Sequence, residues 1–333
     1  MRVAVASRSF SRHPILRAEL LARFPDASFN DAGKSLAGEA LIAHLRGHNA
    51  AITALERLDE SLFEALPELK VIGKYGVGLD MVDLDAMRRH GVRLGWTGGV
   101  NKRSVSELVI AMAIALLRHV PQGNLEVRAG GWRQLQGRHL SGRCVGIIGC
   151  GHIGKDLTPL LKAFGCTVLA HDIRDYAAFY AAHGVEKVGL DDLLARADVV
   201  TLHLPLDAST TSILSADKLA LMRSDAILIN CARGGLLDEA ALKTMLMTGK
   251  LAGAGLDVFN GEPPEDRQLL GLPNVLATPP YRRQRRGGGA GHGPCRHFRP
   301  VPGGGAAAGF GGLAGGGFGM MASLGFDPGP PVI

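Results

Sequence analysis

Residues 145–154 read VGIIGCGHIG, and this stretch decides the fold. Its apolar half predicts a β-strand, and a G-x-G-x-x-G string follows before a helix that opens at Lys155. In this setting Gly149 makes the tight turn, Gly151 lets the backbone approach a pyrophosphate, and Gly154 allows close packing of helix on strand. The free N–H groups of the helix N-terminus face the phosphates. The stretch therefore predicts a dinucleotide site of the Rossmann type.

An acidic residue at the end of the next predicted strand supports this interpretation. Asp172 lies 18 residues past Gly154 and directly follows the apolar strand 167–171. A carboxylate at this place accepts hydrogen bonds from the ribose 2′-OH and repels a 2′-phosphate. The pattern therefore favours NAD over NADP, although the neighbouring Arg174 weakens the preference. The alternative is a plain glycine-rich turn with an exposed aspartate.

Short apolar strands alternate with amphipathic helices on both sides of this motif, which predicts an α/β fold with two doubly wound, mostly parallel sheets. In the first part, strands are predicted at 2–6, 50–53, 70–73 and 92–95, and helices at 14–24, 35–47, 60–65 and 81–90. In the second part, strands are predicted at 144–148, 167–171, 198–202, 227–230, 253–258 and 275–278. We expect domains over 1–98 and 99–280.

A long apolar helix is predicted at the crossing between these domains. Ser104 and Glu107 have the spacing of a capping box, which satisfies free N–H groups at a helix start. Apolar residues then recur at helical spacing, so we predict a helix over 104–119. It follows Gly98 and Gly99, a natural hinge.

Composition excludes several classes of protein. No apolar run approaches the roughly 20 residues that a membrane-spanning helix needs, and the first residues read as a β-strand without signal-peptide features. The five cysteines form no C-x-x-C pair, which predicts reduced thiols, a cytoplasmic location and no metal site.

The net charge of +6 comes mostly from residues 281–333. This segment holds six Arg and one Asp, so the rest of the chain carries only about +1 and predicts no nucleic-acid partner. It also holds 17 Gly without a repeating period, so we predict a disordered tail.

Further motifs show a family resemblance that covers about residues 1–280. They are GVGLD at 76–80, SEL at 106–108, HLP at 203–205, NCARGG at 230–235, and DVF at 257–259 followed by EPP at 262–264. In order and spacing they resemble the D-isomer-specific 2-hydroxyacid dehydrogenases, most closely the phosphoglycerate dehydrogenase-like branch. The resemblance implies a flavodoxin-like substrate domain over 1–98, an NAD-binding Rossmann domain over 99–280, and a homodimer through the arm 104–132.

The resemblance also implies roles for single residues. Arg233 would grip the substrate carboxylate and carbonyl, because its planar fork suits bidentate binding. Glu262 would raise the pKa of a catalytic histidine. The backbone N–H groups of Gly76, Val77 and Gly78 would meet the substrate carboxylate. The residues implied to line the NAD pocket are Val77, His152, Ile153, Leu204, Cys231, Arg233 and Asp257.

These residues have plainer alternative interpretations. Arg233 is alternatively a surface-turn charge, and Glu262 a solvated loop acid. His203 is interpreted as a structural residue at a strand end, and Cys150 and Cys231 as small packing residues.

The family pattern fails at one position. A catalytic histidine would follow Glu262 by 18 residues, in a His-Ile-Gly-Gly type string, but Pro280 stands there. Codons ACC CCC CAT ATC GGC GGC encode Thr-Pro-His-Ile-Gly-Gly. One additional C changes them to ACC CCC CCA TAT CGG CGG, which encode TPPYRR, the sequence of residues 278–283. We therefore hypothesise a one-base frameshift in a GC-rich gene; the alternative is a divergent tail.

Three functional interpretations remain. The first is an NAD-dependent oxidoreductase that interconverts a small D-2-hydroxy acid, 3-phosphoglycerate or a relative, with its 2-oxo acid. Here Lys74, Lys102 and Arg103 are either contacts for a substrate phosphate or surface charges. The second is a catalytically inactive NAD-binding sensor or interaction module. The third is the non-functional product of a damaged reading frame.

Overall fold

The computed structural model describes residues 1–279, and these form two compact units that divide between Val100 and Asn101. Pro280 and the predicted disordered tail over 281–333 lie outside the described residues. The predicted α/β class with two parallel sheets is confirmed, because the described residues hold one five-stranded and one seven-stranded sheet in which every named pair of strands is parallel.

The first unit contains one sheet covered on both faces. Its strands are β1 (Val3–Val5), β2 (Ser28–Phe29), β3 (Ala50–Thr53), β4 (Val71–Lys74) and β5 (Arg93–Gly95). Its helices are α1 (Arg8–Ser11), α2 (Pro14–Leu21), α3 (Gly38–Leu45), α4 (Glu60–Ala65) and α5 (Leu84–Arg89). The strand order β2-β1-β3-β4-β5 is that of flavodoxin-like folds.

Alternation along β1 explains the two cores of this sheet, because successive strand side chains point to opposite faces. Val3 and Val5 belong to the cluster that contains Phe10 and Leu20 of α1 and α2. Ala4 lies in the other cluster, with residues of α3, α4 and α5 such as Leu41. The short strand β2 and helix α1 were not predicted.

The second unit contains the larger sheet. Its strands are β6 (Cys144–Ile148), β7 (Thr167–His171), β8 (Val185–Lys187), β9 (Val199–Leu202), β10 (Ile227–Asn230), β11 (Gly253–Leu256) and β12 (Val275–Ala277). Its helices are α6 (Lys102–Leu117), α7 (Val120–Arg128), α8 (His152–Ala163), α9 (Ala177–His183), α10 (Leu190–Arg196), α11 (Ala216–Leu219), α12 (Glu239–Met247) and α13 (Arg267–Leu270), with a 3-10 turn at Gly234–Leu236.

The strand order of this sheet places a crevice. The order is β12-β11-β10-β9-β6-β7-β8, so successive strands are added to one side of β6 up to β8 and to its other side from β9 onward. In open parallel sheets, ligands bind at the carboxyl ends of the strands at the point where the strand order reverses in this way. The turns that follow β6 and β9 are therefore the first place to look for a site.

The structure corrects both ends of the predicted helix 104–119. Helix α6 begins at Lys102, and Asn101 precedes it as the N-cap without a side-chain hydrogen bond, so the predicted capping box at Ser104 is wrong. Ser104 already lies within the first helical turn. The helix ends at Leu117, because His119 adopts a left-handed conformation with φ +53°.

Within residues 1–279 no single helix has both the length and the apolar composition of a bilayer span. Helices α6 and α7 meet that test only when they are counted together, and the pair is bent by 60°.

Candidate active site

The turn after β6 lies directly against the end of β9. Gly149 donates its N–H to the His171 carbonyl at 2.8 Å, and His203 donates its N–H to the Ile148 carbonyl at the same distance. Gly149 has φ +92°, a conformation that favours glycine. A Cβ added there would lie 2.7 Å from the His203 carbonyl oxygen and 2.9 Å from Leu204. Only glycine therefore fits between these two strand ends.

The other two glycines of the string leave room for a phosphate group. A Cβ on Gly154 would lie 2.8 Å from the Gly149 carbonyl oxygen, so glycine lets helix α8 approach the turn. Gly151 precedes α8 as its N-cap, and a Cβ there would meet no atom within 4 Å. The N-terminus of a 12-residue helix thus opens onto free space, and the residues present fit a pyrophosphate.

Asp172 ties this turn to the end of β7. One carboxylate oxygen accepts the Cys150 N–H at 2.7 Å, and the other accepts the Arg174 N–H at 2.8 Å. Each oxygen has a further lone pair that can accept a hydrogen bond. The carboxylate is half-buried beside the glycine-rich turn, where a ribose hydroxyl would be expected.

Arg233 is positioned by Asn230 at the end of β10. The Asn230 side chain donates to the Arg233 carbonyl at 2.7 Å and accepts the Ala232 N–H at 3.0 Å, and it is only 1% exposed. The Arg233 guanidinium donates to the Ala232 carbonyl at 2.7 Å. Asn230 therefore fixes the loop that carries the predicted substrate-binding arginine.

A close backbone contact joins this loop to the one that carries Glu262. A Cβ on Gly234 would overlap the carbonyl group of Phe259 and the backbone nitrogen of Asn260. Glu262 is exposed and accepts the Phe259 N–H at 3.3 Å. The Arg233 and Glu262 loops are thus held together at the carboxyl edge of the sheet that also carries the glycine-rich turn.

Glu262 also lines a cavity of about 410 Å³. The other acids around this cavity are Glu239, Glu265 and Asp266. Burial raises the pKa of Glu239, whereas the Lys243 ammonium, 2.7 Å from Asp266, lowers the pKa of that carboxyl.

Asp257 lies between these loops and β12. It follows β11, and its carboxylate accepts the Thr278 hydroxyl at 2.6 Å. Burial raises the pKa of Asp257, and the nearby Glu262 carboxylate raises it further.

The histidine and the two thiols near the crevice are poor candidates for acid–base or nucleophilic chemistry. Burial lowers the pKa of His203 to about 3. Its ring is therefore neutral at neutral pH and cannot act as an imidazolium acid. Burial raises the pKa of Cys150 to about 11 and also raises that of Cys231, so both thiols stay protonated. The Cys231 thiol lies 3.8 Å from the Met112 sulfur. These environments agree with structural roles.

The predicted substrate-binding turn lies in the first unit. Gly76 follows β4 with φ +131°, again a conformation for glycine, and Trp96 donates its indole N–H to the Val77 carbonyl at 3.1 Å. Lys74 is buried at the end of β4, donates to the Ala54 carbonyl, and would lie 3.6 Å from a Cβ on Gly76.

The other two candidate phosphate contacts lie at the start of α6, in the second unit. Arg103 forms an ion pair with Asp156, with N–O distances of 3.0 and 3.2 Å, the second of which is a hydrogen bond. Lys102 is exposed.

Several positioning residues were not predicted as site residues. Asn230 lies within the NCARGG string and Thr278 within the string before Pro280, so both belong to motifs that the sequence analysis identifies. The Thr278 hydrogen bond reaches Asp257, 21 residues away in the chain, so only the fold brings these two residues together. The Asn230 hydrogen bonds stay within its own loop. Lys155 and Tyr176 also border the Asp172 turn, with the ammonium 3.4 Å from the ring centroid. No sequence motif indicated that pair.

The fold and the glycine-rich turn define a protein of the Rossmann dinucleotide-binding class. The family model described as "D-isomer specific 2-hydroxyacid dehydrogenase, NAD binding domain" matches residues 110–280. The D-3-phosphoglycerate dehydrogenase of Methanocaldococcus jannaschii is 38% identical over 226 residues, which cover 67% of this chain and 43% of that protein. The chain thus spans less than half the length of that relative.

Two further comparisons agree with this result. The hydroxypyruvate reductase of Thermotoga maritima is 36% identical over 233 residues, or 68% of this chain and 75% of that protein. The crystal structure of D-lactate dehydrogenase from Aquifex aeolicus, complexed with NAD and lactic acid, has a TM-score of 0.73 and 26% identity, and the alignment covers 84% of this chain and 88% of that one. The chain belongs to the D-isomer-specific 2-hydroxyacid dehydrogenase family, and its second unit contains the family's NAD-binding domain.

The Gly234 contact makes a stability prediction. Gly234→Ala should destabilise the protein by about 1–3 kcal/mol or more, because the added methyl group overlaps backbone atoms that cannot rotate away. Gly235→Ala is the matched control, since its Cβ would meet only side-chain ends, those of Leu206 at 3.1 Å and of Asn260 at 3.5 Å. Chemical denaturation of the two variants measures the difference. Equal free energies of unfolding would contradict the close contact.

Proposed function

We propose that this chain carries the site of an NAD-dependent oxidoreductase that interconverts a small D-2-hydroxy acid with its 2-oxo acid. One observation carries the proposal. The Arg233 and Glu262 loops are joined through Gly234 and Phe259 at the same edge of the sheet as the glycine-rich turn. This common edge supports Arg233 as the cation that would bind the substrate carboxylate, with Glu262 as the acid beside it.

The cofactor side of the proposal uses residues around the two strand ends. The residues proposed to contact NAD are Val77, Gly149, Gly151, His152, Ile153, Gly154, Asp172, Leu204, Cys231, Arg233 and Asp257. Helix α8 would hold the pyrophosphate at its N-terminus, and Asp172 would accept from the ribose. NAD, when bound, supplies the hydride acceptor of the oxidation.

The substrate side of the proposal uses Arg233 and the turn 76–78. The Arg233 guanidinium would bind the carboxylate as a planar fork, and Gly76, Val77 and Gly78 would offer backbone N–H groups. We propose 1–98 as the substrate domain and 99–280 as the cofactor domain. The names of the relatives, D-3-phosphoglycerate dehydrogenase and hydroxypyruvate reductase, support a small 2-hydroxy acid.

A phosphorylated substrate would need a further cation. Lys74 is the best placed of the three candidates, because it lies beneath the Gly76 turn. Arg103 is already neutralised by Asp156.

Proton transfer is the weak point of this chain. Glu262 would polarise a neighbouring histidine that gives the carbonyl oxygen its proton. Proline has no ionisable group, so Pro280 cannot take that role. We propose that the reading frame shifts at this point and that the chain as written has impaired turnover.

The glycine-rich turn also supports a second candidate function. Residues 149–154 and Asp172 lie upstream of Pro280, and their contacts support a complete cofactor turn. A chain that keeps this turn without a proton donor would act as an NAD-binding sensor or interaction module, so assays of binding and of turnover separate the two functions.

The arm after α6 supports a homodimer. Helix α7 has no buried residue, and Val120, Leu125 and Val127 on it are each more than half exposed. Trp132 follows at 91% exposure. From these exposed apolar side chains on one segment we infer that the arm is an interaction site.

The four described cysteines are free thiols, which supports a cytoplasmic location.

Cofactor preference tests the Asp172 assignment. The unmutated chain should bind NADH more tightly than NADPH, and Asp172→Ala should narrow that preference by roughly tenfold, because it removes a charged acceptor. Asp175→Ala is the control, since Asp175 is exposed and pairs with Lys187 at 3.3 Å. Fluorescence titration gives both dissociation constants. Equal affinity for the two cofactors in the unmutated chain would count against the assignment.

Restoring the reading frame tests the missing histidine. General acid–base catalysis contributes roughly 10²–10⁴-fold, so the frame-restored protein should reduce a 2-oxo acid with NADH faster than the written chain by at least that factor. Pro280→His alone should recover little, because it does not restore the Ile-Gly-Gly string that follows. Steady-state assays compare the three proteins. A written chain that turns over as fast as the restored one would remove the argument.

The apolar arm predicts dimerisation at micromolar concentration. Leu125→Asp with Val127→Asp should shift the protein to a monomer, because carboxylates buried in an apolar interface without cationic partners are costly. Leu55→Asp is the control, as Leu55 is also an exposed apolar residue, at 76%, but lies in the first unit. Sedimentation velocity reads the mass. A monomeric unmutated chain would contradict the proposal.

A further inference from the structure

Two opposite charges flank the same small side chain in the glycine-rich turn. The Asp172 carboxylate accepts the Cys150 N–H at 2.7 Å. Burial is the main cause that raises the pKa of the Cys150 thiol; Asp172 raises this pKa further, and Lys155 lowers it. Both charges therefore lie near Cys150. Even so, Lys155 forms no salt bridge with Asp172 or with any other acid among residues 1–279.

Aromatic rings account for the position of Lys155. Its ammonium lies 3.4 Å from the centroid of the Tyr176 ring and 5.8 Å from that of Phe179. An ammonium over a ring face is attracted by the ring quadrupole, and the attraction grows when the site is partly desolvated. Lys155 and both rings are half-buried.

The rings are themselves held in place. Tyr176 directly precedes α9, and its ring meets the buried Tyr180 edge-on at 6.1 Å. Phe179 stacks on His183 at 4.2 Å. The two rings are therefore held in fixed positions. Tyr176 lies four residues past Asp172, the acid that would recognise the ribose.

We propose that Tyr176 and Phe179 hold the Lys155 ammonium away from Asp172, and that this restraint maintains the preference for NAD over NADP. The inference rests on the proposed role of Asp172 toward the ribose. An unrestrained Lys155 would neutralise Asp172 and compete with the ribose hydroxyl. The same ammonium would attract a 2′-phosphate, which Asp172 repels. Lys155 is thus a specificity-determining residue that acts through the place where the rings hold it.

The test is a double-mutant cycle read by binding of NADH and NADPH to the full chain. Tyr176→Leu should narrow the ratio of the two dissociation constants by roughly tenfold, the range that a cation–π contact allows. Tyr176→Phe keeps the ring and should stay within about twofold of the unmutated chain. Adding Lys155→Gln to Tyr176→Leu should abolish the narrowing, because it removes the freed cation. Arg174 is unchanged in every variant and contributes equally.

Two further measurements keep the proposal falsifiable. Ring-current shifts of the Lys155 side-chain protons in the cofactor-free protein should survive Tyr176→Phe and vanish in Tyr176→Leu. If Tyr176→Leu does not fold, Phe179→Leu should give a smaller narrowing in the same direction, since that ring is farther from the ammonium.

The outcomes separate this inference from the proposed function. An unchanged ratio in Tyr176→Leu, or a narrowing that persists without Lys155, would overturn the inference while the cofactor site stands. Failure of the unmutated chain to bind either cofactor would overturn the proposed site itself, and the inference with it.

Discussion

The close approach of two strand ends is the constraint on which the rest of this structure depends. The turn after β6 and the end of β9 leave no space for a Cβ at Gly149, since the His203 carbonyl lies where that atom would point. The same turn donates to the carbonyl of His171 at the end of β7. Backbone hydrogen bonds therefore join three neighbouring strands at their carboxyl ends, and the Asp172 carboxylate adds a side-chain hydrogen bond to the same turn. The N-terminus of α8 is thereby aimed into the crevice.

The remaining site loops are held by the same kind of contact. Gly234 brings the Arg233 loop against the backbone of Phe259, and Asn230 satisfies the polar groups of that loop from below. Neither Gly234 nor Asn230 has to touch a ligand for this arrangement to matter. If the loops moved apart far enough to admit one methyl group, the positions of the Arg233 guanidinium and the Glu262 carboxylate would change.

In the second unit, the neighbours of a charged side chain determine its role as much as its residue type does. Arg103 is turned into a structural residue by Asp156, and Lys155 is drawn onto an aromatic face. His203 is neutral because burial penalises its charged form. Residue type alone suggests that Arg103 and Lys155 are cations available to a ligand and that His203 titrates near neutral pH. The neighbours of these residues in the fold change each of those properties.

The sequence by itself determined the class of fold, the dinucleotide turn and the family, because these follow from local patterns: apolar strands of fixed length, glycines at fixed spacing, and an acid after the second strand. It also predicted strands such as 50–53 to the residue. It misplaced the start of α6, because the capping-box spacing at Ser104 is a local signal and the helix had already begun at Lys102. Only the tertiary structure decided how the motifs support one another. The contacts of Gly234 with Phe259, of Asp257 with Thr278 and of Lys155 with Tyr176 depend on atoms that the folded chain brings together, and no spacing along the sequence specifies them.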